Sequence, residues 1–383
     1  MRALITGSCG LVGFAAARRL LAAGWDVIGI DNDQRAQFFG AGASTSHLAG
    51  QLTREPRYRH VVADIRDKDA MVAAFGKGVD LVLHTAAQPS HDWATTHIRE
   101  DFAINALGTM NVLEAWRATC PKSPFVHCST SKVYGDNPNR LPFIERATRF
   151  DLPDDHPQWH GIHEDFKLDS CLHSFFGVSK LSGDLLAQEY GNHFGLPVGI
   201  FRPGCITGGH HQGAELHGFL NYMMRCVRHG IPYRVFGHKK KQVRCNVHAD
   251  DLVDAFLLYA ESPRPGAVYN IGGRDIACSL LEALAECQER CGREAIVEYL
   301  DQARTGDHIW WISDARKLER DYGWRPKRSL DSIFDELHAA AADGITEAVR
   351  PATIHPAAQM VGRPAEPQPV GRRRSAEWSE MSL

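Results

Sequence analysis

Residues 2–13 read RALITGSCGLVG, a short apolar run followed by glycines at positions 7, 10 and 13. The pattern predicts a strand over 2–6, a tight turn, and a helix that continues through Leu21. Gly7 permits the turn, Gly10 lets the backbone approach a pyrophosphate, and Gly13 allows helix and strand to pack closely. The helix N-terminus then offers unpaired N–H groups and a positive dipole end to phosphates. Residues 26–30 (DVIGI) predict a second strand, and Asp31 stands at its end. A carboxylate there binds adenosine ribose hydroxyls and repels a 2′-phosphate. The two strands together predict a dinucleotide site that takes NAD rather than NADP, formed by Gly7, Cys9, Gly10, Leu11, Val12, Gly13, Asp31 and Asn32.

The same rhythm continues along the chain. Strands are predicted near 60–63, at 80–84, 124–128 and 197–201, and helices near 67–76, at 101–117 and around 176–194. Strands alternating with helices of this length predict an α/β fold with a doubly wound parallel sheet. Residues 34–56 and 136–172 read as long polar loops, and loops of that length in a domain usually carry function. After Arg202 the texture turns irregular, basic and histidine-rich through residue 245, with one predicted helix at 217–228. A strand at 267–271 returns to the sheet, and helices follow at 279–291 and 328–342. The expected division is a dinucleotide domain over 1–202 and a small interleaved C-terminal substrate domain over 203–344. Residues 345–383, rich in Pro and Arg without periodicity, read as a disordered tail.

Composition narrows the rest. The 383 residues carry 43 Lys and Arg against 46 Asp and Glu, so no charge excess points to nucleic acid or an anionic membrane. No apolar run approaches the ~20 residues that a membrane span needs. The N-terminus has no cleavable signal architecture, and a soluble cytoplasmic globular protein is expected. None of the ten cysteines forms a CxxC pair, and Gly209-His210-His211 lacks any partner spacing for a metal. Reduced thiols and no metal are expected.

The GxxGxxG spacing resembles the Rossmann domain of the extended short-chain dehydrogenase/reductase superfamily, and the likeness extends to about residue 340. Asp64-Ile65 matches that family's acid after the third strand, and Thr85-Ala86-Ala87 the loop under the cofactor. Asn105 matches its fourth-helix asparagine; Val247–Asp251 and Tyr269–Gly273 match two further landmarks. The resemblance implies that Thr130 holds the reacting oxygen and that Lys180 binds the nicotinamide ribose. It also implies a tyrosine four residues before that lysine, where this chain has Phe176. Phenylalanine cannot accept a proton, and loss of a positioned base costs about 10²–10⁴ in rate. The leading replacement is His173, three residues upstream on the same helical face. Thr130, Cys205, Thr207, Asp165 and His163 stand behind it.

Thr130-Ser131-Lys132-Val133-Tyr134-Gly135 is similar to a signature of the CDP-paratose (CDP-tyvelose) 2-epimerases. The sugar 4,6-dehydratases carry an acid pair at positions 131–132 that Ser131-Lys132 cannot replace. The resemblance implies a nucleotide-diphosphate sugar substrate, met by Ser131, Cys205, Arg244 and Arg304. A bidentate guanidinium suits a diphosphate. Two other functions stay open: net oxidation or reduction of a nucleotide or sugar phosphate, and catalytically silent NAD binding. The Trp310-Trp311 pair and Trp324 read as packing. Helices at 101–117 and 180–194 resemble the family's intersubunit bundle, which implies a homodimer.

Overall fold

Strand β1 (Arg2–Thr6) buries Ala3, Leu4, Ile5 and Thr6 completely. It sits inside a wholly parallel sheet with β2 (Asp26–Ile30), β3 (Tyr58–Val61), β4 (Leu81–His84), β5 (Phe125–Cys128), β6 (Val198–Pro203) and β7 (Ala267–Ile271). The computed structural model describes residues 1–342 except 216, 304 and 305, so Arg304 and the expected tail at 345–383 lie outside the described residues. The strand order is β7-β6-β5-β4-β1-β2-β3, with Ala3 opposite Val27 on one side and Leu81 on the other. Chain order reverses between β1 and β4, which opens a crevice beyond the strands' carboxyl ends.

Apolar strands buried on both faces need helices above and below. On one face α1 (Leu11–Ala22) and α5 (Ala249–Glu261) supply Phe14, Ala17, Leu20, Phe256 and Tyr259. On the other, α2 (Lys68–Phe75), α3 (Thr109–Thr119) and α4 (Ser174–Phe194) supply Met71, Phe75, Trp116, Ala187 and Tyr190. Burying each large side chain is worth about 1.5–3 kcal/mol against leaving it exposed.

A second sheet centres on the strand Val243–His248. It pairs in parallel with Cys205–Thr207 and Trp310–Trp311, and antiparallel with Ala277–Ser279. Helices Phe219–His229, Leu280–Cys291 and Leu330–Ala340 share a core that includes Met223, Met224, Leu284 and Phe334. Trp310, Trp311 and Trp324 are buried, each indole N–H donating to a protein oxygen: Asp151, Ser313 and Asp251 respectively. The ten cysteines form no disulfide. Among the described residues no three His, Cys, Asp or Glu side chains gather as metal ligands, and no helix is long and apolar enough to cross a membrane.

Two segments differ from their expected form. Residues 34–56, expected as a loop, hold the helices Arg35–Phe39 and Ser46–Leu52. The Asp33 carboxylate fixes the turn between them by accepting from Ser44 Oγ, Thr45 N and Thr45 Oγ1 at 2.6–3.1 Å. The helix expected at 101–117 begins at Ile98, passes through a π-helical turn at Ala103–Gly108, and resumes as α3. Single π-helical turns inside α-helices are often found at functional sites.

One buried ion pair ties α4 to the sheet. Arg202 on β6 clasps Asp184 on α4 through Nε and Nη2 at 2.9 and 2.7 Å, both side chains at most 2% exposed. Ser129 Oγ donates to the same carboxylate at 2.5 Å, and Arg202 Nη1 donates to Tyr134 OH at 3.0 Å. Arg202→Leu, which strands a buried carboxylate, is expected to lower the urea unfolding free energy by about 3–5 kcal/mol. Adding Asp184→Leu is expected to recover most of that loss. A single variant within about 1 kcal/mol of the parent protein would contradict this reading of the pair.

Candidate active site

The glycine turn is built by close contacts rather than by composition alone. Gly7 has φ +69°, and a Cβ there would come within 2.8 Å of Ala86. A Cβ on Gly13 would lie 2.1 Å from the Gly7 carbonyl oxygen. Helix α1 begins at Gly10 without a side-chain cap and without an acid in its first turn. Its N–H groups and dipole therefore face the crevice with no side-chain cap and no acid of their own turn upon them.

Here a cavity of about 430 Å³ opens across the carboxyl ends of the strands. Its walls include Gly7, Gly10, Leu11, Val12 and Gly13 from the turn, Asp31 and Asn32 after β2, Asp64 and Ile65 after β3, and Thr85, Ala86 and Ala87 after β4. Asp31 is oriented by two backbone donors, Cys9 N–H and Asp33 N–H, both at 2.9 Å. Burial nonetheless pushes its carboxyl above the usual range. Asp64 is also partly buried, but the bonds from Arg66 and Asn32 outweigh that and hold its carboxyl low. An uncapped helix end, a close-packed glycine turn and an acid after β2 fit the two phosphates and adenosine ribose of NAD.

Two expected cofactor residues sit behind this wall. Cys9 is 2% exposed, and its backbone N–H is given to Asp31. Asn105 is buried in the π-helical turn. It accepts from Gln88 N–H at 2.9 Å and donates to Gln88 O, Asp101 Oδ1 and Ser179 Oγ at 3.0–3.1 Å. Both therefore shape the site from outside the cavity, because their polar atoms are committed to neighbouring loops.

Thr130, Phe176 and Lys180 line the same cavity. Thr130 Oγ1 accepts from Lys132 N–H at 3.3 Å, which fixes the hydroxyl's side of the turn. Lys180 Nζ donates to the Cys128 carbonyl at 3.0 Å, and burial pushes its ammonium below the usual lysine range. Phe176 is 6% exposed, with its ring 4.5 Å from that of His91. The expected replacement base, His173, lies elsewhere. Its Nε2 donates to the Val133 carbonyl at 3.0 Å and its Nδ1 is 3.5 Å from Cys171 Sγ, so backbone contacts turn it away from the cavity that Phe176 faces. Neither His163 nor Asp165 reaches the cavity wall.

Ser131, Cys205, Thr207 and Arg244 do line it. Burial pushes the Cys205 thiol up to about 11, away from thiolate chemistry. Lys132 Nζ bonds Gly306 O at 2.8 Å and Asp307 Oδ1 at 3.4 Å. Sequence reading missed Arg35, whose half-buried guanidinium holds Gln212 O at 2.5 Å and meets His217 Nδ1 at 3.3 Å, tying Gln212 and His217 to the edge of the crevice. It also missed His91, because a single His beyond Ala86-Ala87-Gln88-Pro89-Ser90 matches no spacing rule.

Asp31→Asn removes the negative charge and, because Cys9 N–H and Asp33 N–H go to different carboxylate oxygens, keeps an acceptor for one of the two backbone bonds. It is expected to narrow the preference for NAD over NADP by about tenfold, or 1.4 kcal/mol, in fluorescence titrations. An unchanged ratio would contradict the role given to Asp31.

Comparison with known proteins agrees with this geometry. A profile of the NAD dependent epimerase/dehydratase family matches residues 3–272. The chain is 30% identical over 347 residues to CDP-paratose 2-epimerase of Salmonella typhi, which spans 88% of this chain and 98% of that one. It is 28% identical over 350 residues to a probable dTDP-glucose 4,6-dehydratase of Sinorhizobium fredii, covering 87% and 90% of the two chains. Among solved structures, UDP-glucuronic acid 4-epimerase from Bacillus cereus, in complex with UDP-glucuronic acid and NAD, has the same fold at TM-score 0.72, with 23% identity over 89% of this chain and 99% of that one. The dTDP-glucose 4,6-dehydratase DesIV from Streptomyces venezuelae, solved with NAD and TYD bound, superposes at TM-score 0.71, with 25% identity over 89% and 96%. Matched over most of its length, the chain belongs to the NAD-dependent epimerase/dehydratase family of enzymes.

Proposed function

We propose that this enzyme is a nucleotide-sugar epimerase of the CDP-paratose 2-epimerase type. The observation that carries the reading is the continuity of one cavity, from the glycine turn past Thr130 and Lys180 to Cys205 and Arg244. A sugar held between the last two pairs would present a ring hydroxyl to the first. At position 132, where an eliminating enzyme needs an acid, stands a lysine paired with Asp307.

NAD, when bound, supplies a reversible hydride acceptor. The remaining work falls to the chain. Lys180, buried and anchored to Cys128 O, would orient the nicotinamide ribose. Thr130 would hold the sugar oxygen that becomes a ketone and then a hydroxyl again. Arg244 would grip the diphosphate, and residues from 203 onward would form the substrate side. Phe176 can pack but cannot carry the proton.

Two helices carry an exposed apolar stripe: Ile98, Phe102 and Met110 on one, Phe175, Val178 and Leu185 on α4, each 36–46% exposed. That face supports a homodimer. Val178→Glu with Leu185→Glu is expected to halve the mass measured by light scattering; an unchanged mass would remove this face from the assembly.

For the reaction, the protein is incubated with CDP-, UDP- and GDP-hexoses in deuterium oxide and the ring protons are followed by NMR. The expected result is a new epimer with no free NADH and no deuterium on the ring. Stoichiometric NADH would instead establish net oxidation, and ring deuterium at the inverted carbon would establish deprotonation rather than hydride return. Either outcome overturns the proposal.

A further inference from the structure

We propose that His91, packed on α4 against Phe176, is the catalytic base of this site and takes the proton that residue 176 cannot. The inference rests on the epimerase reading above and deepens it.

Three independent features converge on this ring. His91 lines the cavity that Thr130 and Lys180 line, and it packs against the Phe176 ring at 4.5 Å. Its Nδ1 lies 3.2 Å from Ser174 Oγ. Ser174 itself holds φ +62°, a left-handed conformation that costs a non-glycine residue roughly 1–3 kcal/mol. At that cost its Oγ accepts from Gly177 N–H at 3.2 Å and meets His91 at once. Ser174 sits behind the lining residues His91 and Phe176, and its strained backbone is most simply explained by the contacts it maintains with His91 and Gly177.

The loop that carries His91 is equally well fixed. Gln88 Nε2 donates to Asp101 Oδ1 and to Ser90 O, each at 2.8 Å. Gln88 N–H is bound by Asn105, and Ser90 Oγ accepts from Trp93 N–H to start the helix His91–Thr96. The buried Asn105 is thus a positioning residue for the loop rather than a cofactor contact.

The surroundings of His173, Tyr134, Asp307 and Cys205 give each of them a different role. His173 faces Val133, Tyr134 OH donates to Asn270 Oδ1 at 2.9 Å, Asp307 pairs with Lys132, and the Cys205 thiol is held protonated.

The step balances without a further reagent. With Nδ1–H donating to Ser174 Oγ, Nε2 takes the proton of the sugar hydroxyl as its O–H bond breaks. NAD, when bound, would accept the carbon's hydrogen as hydride, balancing the C=O bond that forms. When the hydride was returned to the other face, the imidazolium would give the proton back, and neither cofactor nor histidine would be changed overall.

The test uses the full-length enzyme with NAD and the nucleotide sugar that it epimerises. His91→Gln is expected to lower kcat about 10²–10⁴-fold. Its dissociation constants for NAD and for the nucleoside diphosphate should stay within about twofold. Phe176→Tyr in the His91→Gln background should restore part of the lost rate. In protein with carbon-13-labelled histidine, the imidazole resonance absent from His91→Gln should shift when nucleotide sugar is added. Turnover by His91→Gln within a few fold of the parent would overturn the role of His91 while leaving the epimerase reading intact. Loss of NAD binding or of folding in His91→Gln, with the labelled resonance unmoved by substrate, would make His91 structural and also overturn it. Absence of epimer from the parent enzyme on every nucleotide sugar would overturn both.

Discussion

The Asp184–Arg202 pair is the constraint on which the site depends. A bidentate ion pair sealed from water is stable only with its remaining lone pairs and protons satisfied. Here Ser129 and Tyr134 satisfy them. Tyr134 OH continues to Asn270 Oδ1 on β7, whose backbone N–H and Nδ2 are taken by Glu164 Oε1 and Ile162 O at 2.8 Å. One chain of bonds therefore joins α4, β6, β7 and the 136–172 loop. Helix α4 carries Phe176 and Lys180, so the same network sets how these two meet the cavity. Burial pushes the Tyr134 hydroxyl up to about 12, consistent with a tyrosine used as a structural joint and not as a base.

Sheet topology supplies the other half of the geometry. The reversal between β1 and β4 places the glycine turn beside the loop after β4, close enough that Gly7 admits no Cβ against Ala86. Thr6 Oγ1 accepts from Ala86 N–H at 3.2 Å, and Thr85 Oγ1 donates to Thr6 O at 2.7 Å, stitching the two turns together. The loop after β4 runs on into Gln88, Ser90 and His91. Cofactor turn and proposed base are thus carried by adjacent strands of one rigid sheet, and rigid support is what a positioned proton transfer requires.

Much of this was legible before any coordinates. Apolar runs, glycine spacing and Asp31 are local signals, and each rests on a backbone requirement that few other residues meet. The absence of tyrosine at position 176 was equally plain, since one residue type either can or cannot carry a proton. The replacement was not legible. His173 satisfies helical spacing, but spacing says nothing of a carbonyl at Val133 that claims its ring. His91 is 85 residues from Phe176 in sequence and meets it only because the helix His91–Thr96 packs on α4. The Arg35–Gln212 contact escaped notice for the same reason, since its two partners lie 177 residues apart.

The most direct test is a crystal structure of the enzyme with NAD and the nucleotide sugar bound together. The account predicts the reacting ring hydroxyl within hydrogen-bond distance of both Thr130 Oγ1 and the His91 imidazole, with Lys180 on the nicotinamide ribose and Arg244 on the diphosphate. A sugar seated away from Thr130, or a His91 ring turned out of the cavity with another titratable group on the hydroxyl, would contradict it.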